Sequence, residues 1–339
     1  MTDKKNTKTK SKTNITQDTF IARLKQSLPP GIGLAEELAD VLNVSIDSAY
    51  RRIRGETDLT IDEVFILSKK YNISVDEVFG THNNTVTFTY TKLTDSDKNF
   101  DAYLTRLAKH LEIINTFNDK KIVYVAEDIP MFYSFFSKKL SDFKLFYWQR
   151  SVLNIPEYQT IKFNWGVVPQ KLVEIAHTSF KEYMKIPSSE IWTSETVFTG
   201  LRQIKFYVDS GIITKTQATE LYAEYRSMID MVKVNAENAR KNISDQSETF
   251  LMYSSEVALG TNCIYATTGE IKHSYISFNN LNSLTTNNSE FCEETEHWIR
   301  NLEKKSTLIS GVSEKERYRF FSKMYQHIDD FIAKLDNND

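Results

Sequence analysis

Six polar side chains within ten positions, Ser45, Asp47, Ser48, Arg51, Arg52 and Arg54, carry the most explicit chemistry in this sequence. An arginine fork can donate two hydrogen bonds to one guanine edge, and a serine hydroxyl suits a base edge or a phosphate. Ile46, Ala49, Tyr50 and Ile53 recur at i, i+3, i+4 and i+7, so the segment is predicted to be a short helix with those four residues packed inward. Asp47, Ser48, Arg51, Arg52 and Arg54 then point away from the body. Ser45 precedes the helix as its N-cap, and Gly55 follows it where a positive φ is needed. Taken as chemistry, this is a surface for reading base edges in double-stranded DNA. The bland alternative is a solvated helix face.

The flanking residues supply the elements that would hold this helix in place. Leu34, Leu38, Ala39 and Val41 form the apolar stripe of a preceding helix, and Leu42-Asn43-Val44 makes a three-residue turn. Helix, short turn and second helix make up the helix-turn-helix pattern, whose second helix can enter the major groove. Thr60-Ile61-Asp62-Glu63 is a capping box opening an amphipathic segment with Val64, Leu67, Ser68 and Tyr71. Ser74-Val75-Asp76-Glu77 is another, opening a short last helix that ends near Phe79. Leu38-Ala39, Val44-Ser45, Arg54-Gly55 and Tyr71-Asn72-Ile73-Ser74-Val75-Asp76-Glu77-Val78-Phe79 together resemble the Cro/repressor-type, or XRE, helix-turn-helix family. The resemblance covers residues 20–80 or so. It implies a sequence-specific transcription regulator that binds double-stranded DNA, usually as a dimer.

Composition limits the alternatives. A chain of 339 residues exceeds one small module, so two or three domains are expected, and 40 % hydrophobic residues suffice for packed cores. The formal charge of −3 excludes a bulk-basic, sequence-blind nucleic-acid binder, so any DNA contact must come from local clustering. No apolar run approaches the roughly 18 residues of a membrane span, and the first residues lack the apolar core of a secretory signal. With only Cys263 and Cys292, far apart, a reduced cytoplasmic protein is expected. Residues 1–14 hold Lys4, Lys5, Lys8, Lys10 and Lys12, so they read as a disordered tail. That tail is either an arm that touches phosphates or a solubilising segment.

Residues 15–80 are assigned to the all-α DNA-binding domain, 81–95 to a linker, and 96–339 to a dimerisation or sensor domain. The overall expectation is a mainly α, α+β chain with a short antiparallel sheet. Helices are predicted over about 100–117, 169–185, 196–210, 214–240, 289–305 and 313–335, with Thr214-Lys215-Thr216-Gln217 as a capping box. Lys121 to Ala126 reads as a strand. Thr249 to Tyr253, Cys263 to Ala266 and Lys272 to Ser277 read as a three-stranded antiparallel meander. The aromatic stretch Phe132, Tyr133, Phe135, Phe136, Phe143, Phe146, Tyr147 and Trp148 is read as core, or else as the wall of an effector pocket or a dimer interface.

Catalytic signatures are thin. The sequence has no Gly-x-Ser-x-Gly, no phosphate loop and no His-Glu-x-x-His, so no catalytic, metal or cofactor residues are assigned. Cys292, Glu293 and His297 are close enough for a metal but lack a second ligand pair. A regulator with a small-molecule or protein effector is the expectation. An enzyme, or an interaction adaptor, carrying an accessory helix-turn-helix is the alternative.

Overall fold

The computed structural model describes residues 15–28, 32–71, 73–75, 78, 85–93, 97–243 and 246–336. The chain divides into two compact units, Met1–Thr87 and Phe88–Asp339. The Lys-rich tail lies outside the described residues, as does most of the short helix expected after Ser74.

The N-terminal unit is helical. It contains α1 (Ile15–Ser27), α2 (Leu34–Leu42), α3 (Ile46–Ile53) and α4 (Ile61–Tyr71). Phe20 and Leu24 of α1 meet Leu38 and Ala39 of α2, Ala49 of α3, Leu67 of α4, and Ile73 in one buried cluster. The α2–α3 turn works because Asn43 adopts the left-handed conformation (φ 53°), and the Val44 N–H donates to the Ala39 carbonyl at 3.0 Å. Across the unit, Glu37 of α2 accepts from Lys70 Nζ (2.8 Å) and from the Tyr71 hydroxyl of α4. These two donors hold its carboxyl below the usual carboxylate range.

The C-terminal unit opens with α5 (Asp97–Asn115) and then β1 (Lys120–Ala126). A 3-10 turn, Met131–Phe135, leads into α6 (Lys138–Tyr147), a π turn at Trp148–Val152, α7 (Pro156–Gln159) and α8 (Gln170–Met184). The chain continues through β2 (Ser188–Trp192), α9 (Phe198–Asp209), α10 (Lys215–Asn238), β3 (Arg240–Ile243) and β4 (Gln246–Ser254). It ends with β5 (Cys263–Thr268), β6 (Ile271–Phe278), β7 (Asn282–Thr286), α11 (Ser289–Lys305), β8 (Thr307–Leu308) and α12 (Glu314–Asp336). The Thr214 capping box forms as its sequence requires.

The strands make one eight-stranded sheet in the order β3-β4-β2-β1-β5-β6-β7, with β8 on β4. Pairs β1–β2 and β2–β4 are parallel, and the remaining pairs are antiparallel. This corrects the expectation of a mainly helical chain with a short antiparallel sheet: the fold is mixed α/β. The expected meander also has a different membership. It consists of β5, β6 and β7, while the Thr249–Tyr253 segment lies in β4, separated from β5 by β2 and β1. Alternation identifies a strand but says nothing of its neighbours. The strand that completes the parallel centre, Ser188-Ser189-Glu190-Ile191-Trp192, is short and polar by sequence yet buried throughout.

Period-two alternation sorts β1 between two layers. Ile122, Tyr124 and Ala126 face the large helical layer, whereas Val123 and Val125 join Ile191, Cys263, Cys292, Ile299 and Leu302 in a smaller core involving α11. The aromatic stretch is chiefly core: Phe132, Tyr133, Phe135, Phe143, Phe146 and Trp148 are buried. Glu190 can sit at the centre of β2 because Tyr133 (2.7 Å), Tyr183 (2.6 Å) and the Trp192 indole (3.0 Å) all donate to its carboxylate.

Candidate nucleic-acid interface

Helix α3 starts as its sequence predicts. The Ser45 hydroxyl accepts from the Ser48 N–H at 3.2 Å, satisfying one of the free donors of the first turn. The helix ends with Gly55 at φ 69°, where its N–H donates to the Arg52 carbonyl and the Glu56 N–H to that of Arg51. A glycine is required there because a side chain would be strained at that angle.

Only part of the predicted inward face is inward. Ala49 is fully buried, and Ile53 packs against the core of the unit. Ile46 and Tyr50 are 52 % and 44 % exposed. The helix docks chiefly through Ala49 and Ile53, and Tyr50 borders an open groove with Ile21 of α1 and Leu34 of α2. The outward surface is therefore more apolar than the spacing implies.

The three arginines occupy different positions. Arg52 is largely enclosed: its guanidinium donates to both carboxylate oxygens of Glu63 (2.7–3.2 Å) and to the Ser48 carbonyl. Glu63 also closes the α4 capping box, accepting from the Thr60 N–H at 3.0 Å while its own N–H donates to the Thr60 hydroxyl. Arg52 thus ties α3 to the start of α4. Arg54 is exposed and paired with Glu56 at 2.8 Å and 3.1 Å. Arg51 is also exposed, 3.9 Å from the same Glu56. These surface pairs are weak in water and can be exchanged for a phosphate or a guanine edge. Asp47 and Ser45 stand exposed at the N-terminal end, and Ser48 is half-buried with its hydroxyl bonded to Ser45.

One structural residue had no sequence signal. Gln17 of α1 is buried, and its amide donates to the Arg52 carbonyl (2.8 Å) and the Thr57 carbonyl (2.9 Å). Its side-chain oxygen accepts from the Leu59 N–H at 2.8 Å. A single side chain thereby fixes the C-terminal end of α3 and the loop that follows. No local pattern marks it, because its partners lie 35 to 42 positions away.

Elsewhere, Cys292 is buried and accepts from the Ser274 hydroxyl, and His297 bonds Asn301. Among the described residues no group of three His, Cys, Asp or Glu side chains is placed to hold one metal ion, and no helix is long and apolar enough to cross a membrane.

No protein-family model matches the chain, and neither does any curated protein or solved structure.

Proposed function

We propose that this protein is a sequence-specific transcription regulator of the Cro/repressor helix-turn-helix kind, with its N-terminal unit reading double-stranded DNA as a homodimer. The observation that supports this reading is the capped helix α3, which leaves Asp47, Arg51 and Arg54 exposed on one surface. In this arrangement Arg51 and Arg54 are the base- and phosphate-directed cations. Arg52 acts indirectly, by holding α3 against α4 through Glu63. Two copies would present their α3 helices about 34 Å apart, one turn of DNA. The C-terminal unit is the sensor or interaction part of this reading.

The test is binding of the full chain to genomic fragments, including the region upstream of its own coding sequence, across a salt series. Arg51→Ala is expected to weaken binding to the selected fragment by roughly 10- to 100-fold. It should also flatten the dependence on salt. Weak binding that is indifferent to both sequence and this substitution would reject the proposal.

A further inference from the structure

A cavity of about 340 Å³ opens in the C-terminal unit. Its body is apolar, with Leu107 and Leu111 of α5 opposite Ile122 of β1 and Ala266 of β5. Lys144 and Asp128 line its wall and act on each other electrostatically, and Arg106 of α5 is a further cation of the lining.

Lys144 is the unusual member. Its side chain belongs to a residue only 6 % exposed, yet its ammonium has one neutral acceptor, Gln203 Oε1 at 3.1 Å. It also lies over the rings of Tyr147 (5.8 Å) and Trp148 (5.5 Å). No carboxylate forms an ion pair with it among the described residues. An ammonium has three donors, and one protein acceptor lies within hydrogen-bond distance of this one. Asp128 is the acid that acts on it electrostatically, but its carboxylate accepts from the Ile129 N–H (2.8 Å) and its own N–H is held by Asn262 (3.0 Å). A buried cation lacking a contact counter-ion is costly, and a bound anion removes that cost.

Three other polar groups at the walls are already engaged. His110 and the Tyr275 hydroxyl bond each other at 2.9 Å, and the Tyr103 hydroxyl donates to the Leu281 carbonyl at 2.6 Å. Burial holds the His110 imidazole below its ordinary range, which keeps it neutral near pH 7. The charged side chains of the lining are Lys144 and Arg106 against Asp128, and burial pulls the Lys144 ammonium down and pushes the Asp128 carboxyl up. At about 30 Å³ per water-sized group, the volume holds on the order of ten heavy atoms.

We propose that this cavity binds a small apolar monocarboxylate of arylalkanoate size, with its carboxylate on Lys144 and its body between α5 and the sheet. The proposal does not depend on DNA binding, since it is read on ligand binding alone. The experiment is calorimetric titration of the full chain with four molecules sharing one aryl body: 3-phenylpropanoate, phenethylamine, phenylalanine and 3-phenylpropanol. The carboxylate should bind one per chain, at least about tenfold tighter than the amine, the amino acid or the alcohol. Lys144→Met keeps side-chain length and removes the charge, so it should abolish this preference while leaving the alcohol unchanged. Lys144→Gln, which keeps a polar chain end without the charge, gives the same readout should Lys144→Met fail to fold. Ala266→Phe fills the cavity and should eliminate all binding. Preference for the amine would mean that Asp128 selects cations, and preference for phenylalanine that the site takes a zwitterion. Either result overturns the proposal, as does no binding of the carboxylate or binding that survives Ala266→Phe.

Discussion

Replacing Gln17 by alanine tests how the DNA-directed helix is held. The substitution removes three hydrogen bonds, to the Arg52 and Thr57 carbonyls and from the Leu59 N–H. Each is worth about 1 kcal/mol net, and water cannot fully replace bonds made by a residue that is only 6 % exposed. The expected loss is therefore about 3 kcal/mol, concentrated where α3 turns into the loop at Gly55. Amide hydrogen exchange in the full chain resolves this locally. Exchange of the Arg54, Gly55 and Glu56 amides, which donate to the carbonyls of Tyr50, Arg52 and Arg51, should quicken by about 100-fold. Amides in the C-terminal unit should keep their rates. Gln17→Glu keeps an acceptor for Leu59 but turns a buried carboxylate oxygen toward the Arg52 and Thr57 carbonyls, so its effect should equal or exceed that of Gln17→Ala. Exchange at those three amides within about threefold of wild type in Gln17→Ala would refute the clamp.

Two further perturbations probe the C-terminal unit. A methyl group at Gly200 of α9 would collide with the Tyr225 hydroxyl of α10, and Tyr225 is itself buried. Overpacking costs about 1–3 kcal/mol, offset by up to about 1 kcal/mol of helix propensity, so Gly200→Ala should lower the melting temperature. A variant as stable as wild type would show that the contact is loose. Lys241 is fully buried, with its ammonium bonded to the Tyr183 and Ile186 carbonyls at 3.2 Å and facing Glu190 and Glu248. Burial pushes it down to about 7, against roughly 10.4 in an unfolded chain. Between those values the unfolded chain carries the extra proton, so this group raises stability as pH rises and imposes its full penalty below about pH 7. Urea melts between about pH 7.5 and 9.5 should show wild type gaining on Lys241→Met by up to about 1.4 kcal/mol per pH unit. A difference that stays flat with pH would contradict the assignment.

What the sequence determined by itself is local. Ser45, the Thr60–Glu63 capping box, the Thr214 capping box and Gly55 are read from a few neighbouring residues, because a cap or a turn is formed by chain only two to four positions away. The turn at Leu42-Asn43-Val44 and the polar face at Asp47, Ser48, Arg51 and Arg54 were legible for the same reason. Helix spacing announced α8 and α10, since burial on one face imposes a period, and a β-branched apolar run announced β1.

Tertiary structure decided everything that depends on which distant segments meet. It assigned Arg52 to Glu63 rather than to solvent, left Ile46 and Tyr50 exposed, and put Gln17 under the end of α3. The sheet shows the same limit on a larger scale. Strand β2 has a polar sequence because its central Glu190 is answered by Tyr133, Tyr183 and Trp192, so hydrophobic alternation never revealed it. With β2 unseen, the parallel centre that makes the fold mixed α/β was unseen too. Lys144 follows suit: in the sequence it is one lysine of a helix. Only the tertiary packing encloses it at the wall of an apolar cavity, where Gln203 is its hydrogen-bond acceptor and no carboxylate among the described residues pairs with it.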